Sequence, residues 1–234
     1  MVAVRQGTEP LSALAMLNEP LRRRAYELIA GRGEVSRDGV ASALGVARTV
    51  AAFHLDKLVA AGLLDVAYRR PPGRAGPGAG RPAKWYRRAA GEIAVSVPER
   101  RYDLAAEILA GAVERASEAG AHVEGVLAEV ARAHGHDVGG ELRPTSSDAA
   151  AGPGTSLAER LVDVLSRHGY EPELAGGVIT MVNCPFHALA EQHRDLVCRM
   201  NHQLLSGVVE GAGLDPGAAR LDPEPGRCCV TIVT

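Results

Sequence analysis

The sequence predicts an α+β chain of two domains: an N-terminal winged helix-turn-helix in residues 1–96, and a C-terminal α+β domain with a small, mainly antiparallel sheet in residues 97–234. Three observations predict it. Apolar residues recur at helical spacing on both sides of Gly45, the pattern of two helices joined by a glycine turn. Two short β-rich runs then flank a Gly/Pro-rich stretch, as strands flank a wing. Charge divides at the same place: residues 1–96 carry 15 Lys and Arg against 8 Asp and Glu, whereas residues 97–234 carry 11 against 20. The first part therefore suits a polyanion and the second does not.

The elements follow in order. Residues 11–17 predict a short apolar helix, and Asn18-Glu19-Pro20 restarts the chain, with Asn18 as N-cap and Pro20 in the first turn. That second helix runs to about Ala30, before Gly31-Arg32-Gly33. Ser36 caps a third helix over residues 37–44, and Gly45 turns the chain into a fourth over residues 46–61, whose buried side is assigned Val50, Phe53, Leu55, Leu58 and Val59. Residues 63–68 and 84–88 read as the strands of the wing. Beyond a linker over residues 91–99, Leu104, Ile108, Leu109 and Val113 mark one helix, and Val123, Val126, Leu127 and Val130 another. Residues 139–154, rich in Gly, Pro, Ser and Asp, read as a mobile connection. Ser156 and Glu159 form a capping box opening a helix that shares Leu157, Leu161, Val164 and Leu165 on one face. A hairpin over residues 171–183 turns at Ala175-Gly176-Gly177; a helix over residues 196–210 and strands at 220–221 and 228–233 complete the second domain.

Composition narrows the function classes. No run approaches the 18 apolar residues of a membrane span, and the first residues lack a signal-like apolar run, so the expected location is cytoplasmic with no membrane partner. Aromatic residues are 3% of the chain, too few to stack bases along a single strand. With no nucleophile elbow, phosphate-cradling loop or HExxH helix, an enzyme is not expected.

The amino-terminal pattern points to double-stranded DNA. With the fourth helix in the major groove, Arg48 and Thr49 at its start and Ala52 and His54 on the next turn are the candidates for base edges, and Lys57 joins them as a DNA contact. Arg48 leads, because a paired hydrogen bond to guanine discriminates bases by roughly 1–3 kcal/mol. Between Val66 and Gly91 there are seven basic residues and no acid. Of these, Arg69, Arg70, Arg74, Arg81 and Lys84 are the candidates for phosphate.

Through Val50-Ala51-Ala52-Phe53-His54-Leu55-Asp56-Lys57-Leu58-Val59-Ala60-Ala61-Gly62-Leu63 and Gly80-Arg81-Pro82-Ala83-Lys84-Trp85-Tyr86, the sequence resembles the ArsR-like winged-helix regulators. The resemblance implies a homodimer on a palindromic operator, with two reading helices one DNA turn apart.

All four cysteines, Cys184, Cys198, Cys228 and Cys229, lie in the second domain, in a compartment where thiols stay reduced and metal or redox chemistry becomes the leading question. Cys184 follows a strand, Cys198 is near the start of a helix and the doublet opens the last strand, so three elements can bring sulfur to one place. Together with the winged helix, this layout looks like the iron–sulfur-responsive repressors of sulfur-mobilisation operons. That resemblance implies a sensor domain whose cluster, [4Fe-4S] or [2Fe-2S], is held by Cys184, Cys198 and Cys228. The doublet departs from the pattern: strand alternation sends its side chains to opposite faces, leaving Cys229 a spare thiol or alternative ligand. His187 is a candidate fourth ligand or a donor to one. Zinc is the alternative, since Cys184-x2-His187 has ligand spacing and Cys198 with Cys228 completes four, as a structural or redox site. A third alternative has no metal: the cysteines are small buried hydrophobes, and a pocket takes a small molecule or protein partner.

Overall fold

The computed structural model describes residues 10–69, 82–142 and 156–234. The chain divides into two compact units, Met1–Val95 and Ser96–Thr234. Arg70, Arg74 and Arg81, with most of the Gly/Pro stretch, lie outside the described residues.

The first unit opens with α1 (Pro10–Ala15), a 3-10 turn (Met16–Asn18) and α2 (Pro20–Arg32). The cap of α2 is Glu19, not Asn18: Asn18 is used up in the 3-10 turn, and the Glu19 carboxylate accepts from the Leu21 and Arg22 amides at 3.1 and 2.7 Å. These are orphan donors of the first helical turn. β1 (Glu34–Ser36), a three-residue strand too short to show an alternating pattern, leads into α3 (Arg37–Leu44), whose Gly39 amide donates to the Ser36 hydroxyl at 3.1 Å. Gly45 takes the left-handed conformation at φ 67° and turns the chain into α4 (Arg48–Ala60); a side chain there would strain the backbone. β2 (Leu64–Arg69) and β3 (Ala83–Arg88) pair antiparallel, and β1 adds to the other side of β3. Tyr86 lies between Val35 and Val66 in register and is fully buried, packing with Ile29, Val40, Leu55 and Leu58.

The second unit holds α5 (Tyr102–Ala119), α6 (Val123–Gly140), α7 (Leu157–Arg167), β4 (Pro172–Ala175), β5 (Val178–Met181), α8 (His187–Gln192), α9 (Arg194–Gly211), β6 (Ala219–Leu221) and β7 (Val230–Val233). Its sheet runs β4-β5-β7-β6, each neighbouring pair antiparallel. The capping box at Ser156 and Glu159 is formed, and Leu161, Val164 and Leu165 of α7 pack with Ile179, Val230, Ile232 and Val209. A second core joins Ile108 of α5 and Leu127 of α6 to Phe186 and Met200. Val113 and Val123, which share the helical spacing of the apolar residues that mark α5 and α6, are exposed.

Helices α6 and α9 approach so closely that only glycine fits at the crossing. A Cβ on Gly135 or Gly139 would land on the carbonyl oxygens of Leu204 and Val208, and one on Gly207 or Gly211 on those of Arg132 and His136. Gly139 thus belongs to a packed helix and not to a mobile connection, because α6 runs on to Gly140 and Leu142 is buried beyond it; residues 143–155 lie outside the described set.

Candidate functional site

Helix α4 has two faces set by its own periodicity. Ala51, Leu55 and Leu58, spaced four and three apart, are buried against α2, α3 and the sheet. The opposite side carries Thr49, Val50, Phe53 and Lys57, with the Lys57 ammonium 5.9 Å from the Phe53 ring centre. Phe53 is 57% exposed, so neither it nor Val50 lines the core as the apolar pattern implied. His54, expected on the exposed turn, has only 13% of its side chain exposed and sets Nδ1 3.2 Å from the Glu19 carboxylate. Ala52 is half-buried. The sequence signal misplaced Val50 and Phe53 because an apolar side chain is read as core by default, whereas the buried face of α4 is taken by Ala51, Leu55 and Leu58.

Three of the basic side chains around α4 have acidic partners. Arg48 stands 2.7 Å from Asp38 of α3, Arg69 2.7 Å from Glu34, and Lys84 2.9 Å from Asp56. The hydrogen bond from Lys84 to Asp56 holds its ammonium above the usual lysine range. Exposed pairs of this kind contribute about 0–1 kcal/mol, so exchanging a carboxylate for a phosphate costs little.

In the second unit, Cys184 follows β5, Cys198 is on the second turn of α9, and Cys228 and Cys229 precede β7. All four pack against the same core. Cys184 is within hydrogen-bonding reach of Cys228, Cys228 of Cys229, and Cys229 of Cys198. The alternation argument for the doublet does not apply, because β7 begins at Val230 and Cys229 sits in a bend ahead of it, which leaves both side chains buried.

Neighbouring groups fix these cysteines. Arg100 Nη1 donates to the Cys184 carbonyl at 2.9 Å and to the Asn183 side-chain oxygen, while Asn183 Nδ2 donates to the carbonyls of Gly169 (2.7 Å) and Glu99 (3.0 Å). The Cys228 amide donates to the Met181 carbonyl at 2.9 Å. Asn201, three residues beyond Cys198 on α9, donates Nδ2 to Cys228 Sγ at 3.2 Å. His187 does not share this environment: its ring is 57% exposed and 3.5 Å from Glu191.

The bond with Cys228, and burial after it, push the Cys184 thiol well above the ordinary cysteine range. At Cys228 the bond with Cys184 pulls down, but Cys229 and burial prevail and hold it at about 11. Burial raises Cys198 against a smaller downward pull from Cys229. These are neutral, unreactive thiols until a soft cation offsets the cost of their negative charge. Sulfur donors from separate segments, with an amide N–H aimed at one of them, have the chemistry that zinc or an iron–sulfur cluster takes. Among the described residues the sulfurs are adjacent in pairs, and no three Cys, His, Asp or Glu side chains already share a metal-sized centre.

No helix among the described residues is long and apolar enough to cross a membrane. No curated protein and no solved structure matches the chain. Residues 16–67 match the family model described as a helix-turn-helix domain, a span that takes in α2, α3 and α4 and reaches into β2, and the amino-terminal unit is accordingly a helix-turn-helix domain of the kind that equips DNA-binding regulators.

Proposed function

We propose that the chain is a homodimeric transcriptional repressor that binds a palindromic operator through α4 and the β2–β3 wing, and answers to iron–sulfur cluster or redox status through Cys184, Cys198 and Cys228. The observation that supports it is the gathering of sulfur from three segments of the unit that follows the helix-turn-helix domain. A cluster, when bound, would supply a charged centre labile to oxidants. Cys184 would be presented by the Arg100-braced turn, Cys198 by α9 and Cys228 by the chain entering β7. Because α9 touches α6 backbone to backbone, a shift at Cys198 cannot be absorbed by side-chain motion between the two helices and must move α6 as well. A coupling of about 1–3 kcal/mol to DNA affinity, or roughly 5–150-fold, is the scale such a device needs.

Purification without oxygen tests the reading. A brown protein with iron and sulfide, whose DNA affinity changes when both are removed, is the expected result. A colourless protein with stoichiometric zinc would replace the cluster with a structural or redox zinc site. The remaining reading, an organic effector, is favoured by a cavity of about 360 Å³ lined by Leu127, Leu196, Met200, Arg199 and Gln203; metal-free protein that still binds DNA, with affinity altered by a small molecule, would select it.

A further inference from the structure

We propose that Cys229 is a working ligand of the sulfur site, so that the chain offers four thiolates and His187 none. This rests on the reading of the site as a soft-metal or cluster centre, and it assigns the position that the three-cysteine reading leaves open.

Three observations carry it. Cys229 is buried in the same core as the other three thiols, although it lies on the surface-prone segment between β6 and β7. It bridges the set: Cys228 is its neighbour on one side and Cys198 of α9 on the other, while Cys184 and Cys228 act on Cys198 through charge and not through a bond. Its backbone is held as well, since its carbonyl accepts the Asp222 amide at 2.8 Å, which pins the bend that turns the doublet inward. The rival donor is poorly placed. His187 begins α8 with its ring in solvent beside Glu191, outside the core against which the thiols pack.

The two pairs also explain why adjacent cysteines occur where one would complete a three-sulfur set. Cys228 meets Cys184 of the β5 end, and Cys229 meets Cys198 of the helix, so the doublet ties the sheet to α9. Binding of one cation by all four would require the sulfurs, adjacent in pairs, to close on a single centre. A soft cation entering there displaces one proton per thiol and leaves a four-coordinate, all-sulfur set.

The experiment is titration of reduced, metal-free full-length protein with cobalt(II) under nitrogen, read by its sulfur-to-metal charge-transfer and d–d absorption. The wild type should give the spectrum of a tetrahedral tetrathiolate. Cys229→Ser should lose about a quarter of the charge-transfer intensity, as expected for one ligand of four, and His187→Ala should match the wild type. A wild-type spectrum of three thiolates overturns the assignment without reference to any variant, as does full retention in Cys229→Ser. A lowered intensity in His187→Ala would hand the fourth position to histidine. Failure of this assignment leaves the cluster reading standing, because iron and sulfide content and its link to DNA affinity are separate measurements. Failure of the wild type to take up cobalt, iron or sulfide removes both.

Discussion

Asn201 donates its side-chain amide to Cys228 Sγ at 3.2 Å while its oxygen accepts the Tyr170 hydroxyl at 2.5 Å. Burial keeps the tyrosine protonated and therefore a donor, which fixes the amide so that its N–H, not its oxygen, faces the sulfur. Asn201→Leu should strand the buried hydroxyl and cost about 1–3 kcal/mol. Adding Tyr170→Phe should recover most of that loss. Urea unfolding of the two single variants and the double variant measures it, and simple additivity would show that the two side chains do not act through one another.

The glycine crossing of α6 and α9 gives a sharper contrast. Gly207→Ala places a methyl group on the Arg132 carbonyl of the facing backbone, which no rotamer relieves. Separating the helices opens the core and should cost about 3 kcal/mol or more. Gly125→Ala, in the same α6 but with open space around it, should stabilise by about 0.5–1 kcal/mol through helix propensity. Thermal unfolding would show the two alanines moving the midpoint in opposite directions; a neutral Gly207→Ala would mean that the two backbones do not meet at Arg132.

Much of this architecture was legible where a local rule marks an element on both sides. Ser36 and Gly45 bracket α3, and Ser156 with Glu159 announces α7. The misses have a common physical origin: each depends on what a residue meets in three dimensions. Glu19 displaced Asn18 as a cap because the 3-10 turn moved the helix start by one residue. The α6–α9 crossing left a trace, Gly135 and Gly139 matched by Gly207 and Gly211 at the same spacing, but glycine also reads as a loop signal. For the sulfur site, the three segments were legible from the cysteines alone, whereas the inward turn of both Cys228 and Cys229 depended on where β7 begins.

Phe53 offers a test of the α4 surface. Its ring is mostly exposed and touches the Lys57 ammonium, so Phe53→Ala should change stability by no more than about 0.5 kcal/mol. If α4 reads the groove, the same substitution should weaken operator binding and the preference for thymine-bearing sites. His54→Ala should do the reverse, lowering stability by removing the partner of the Glu19 cap while sparing sequence preference. Melting curves and competition against a randomised operator library separate the two effects; loss of preference in the His54 variant would return that residue to the reading set.

Arg48 and Arg69 should differ in kind, although both are exposed and ion-paired. Arg48 begins α4 and is tethered 2.7 Å from Asp38, which orients its guanidinium across the amino end of that helix. Arg48→Ala should cost about 1–3 kcal/mol on the preferred site and little on random DNA, relaxing selectivity at one base pair. Arg69 ends the wing strand β2 beside Glu34, and in the proposed docking it would meet phosphate. Arg69→Ala should weaken all duplexes alike and reduce the salt dependence by about one phosphate contact. Asp38→Ala, which releases Arg48, should raise affinity for random DNA and lower selectivity, because a freed arginine binds phosphate as readily as guanine. Binding isotherms on specific and scrambled duplexes at several salt concentrations distinguish these outcomes, and equal losses on both duplexes for the Arg48 and Arg69 variants would displace α4 from its role as the reading helix.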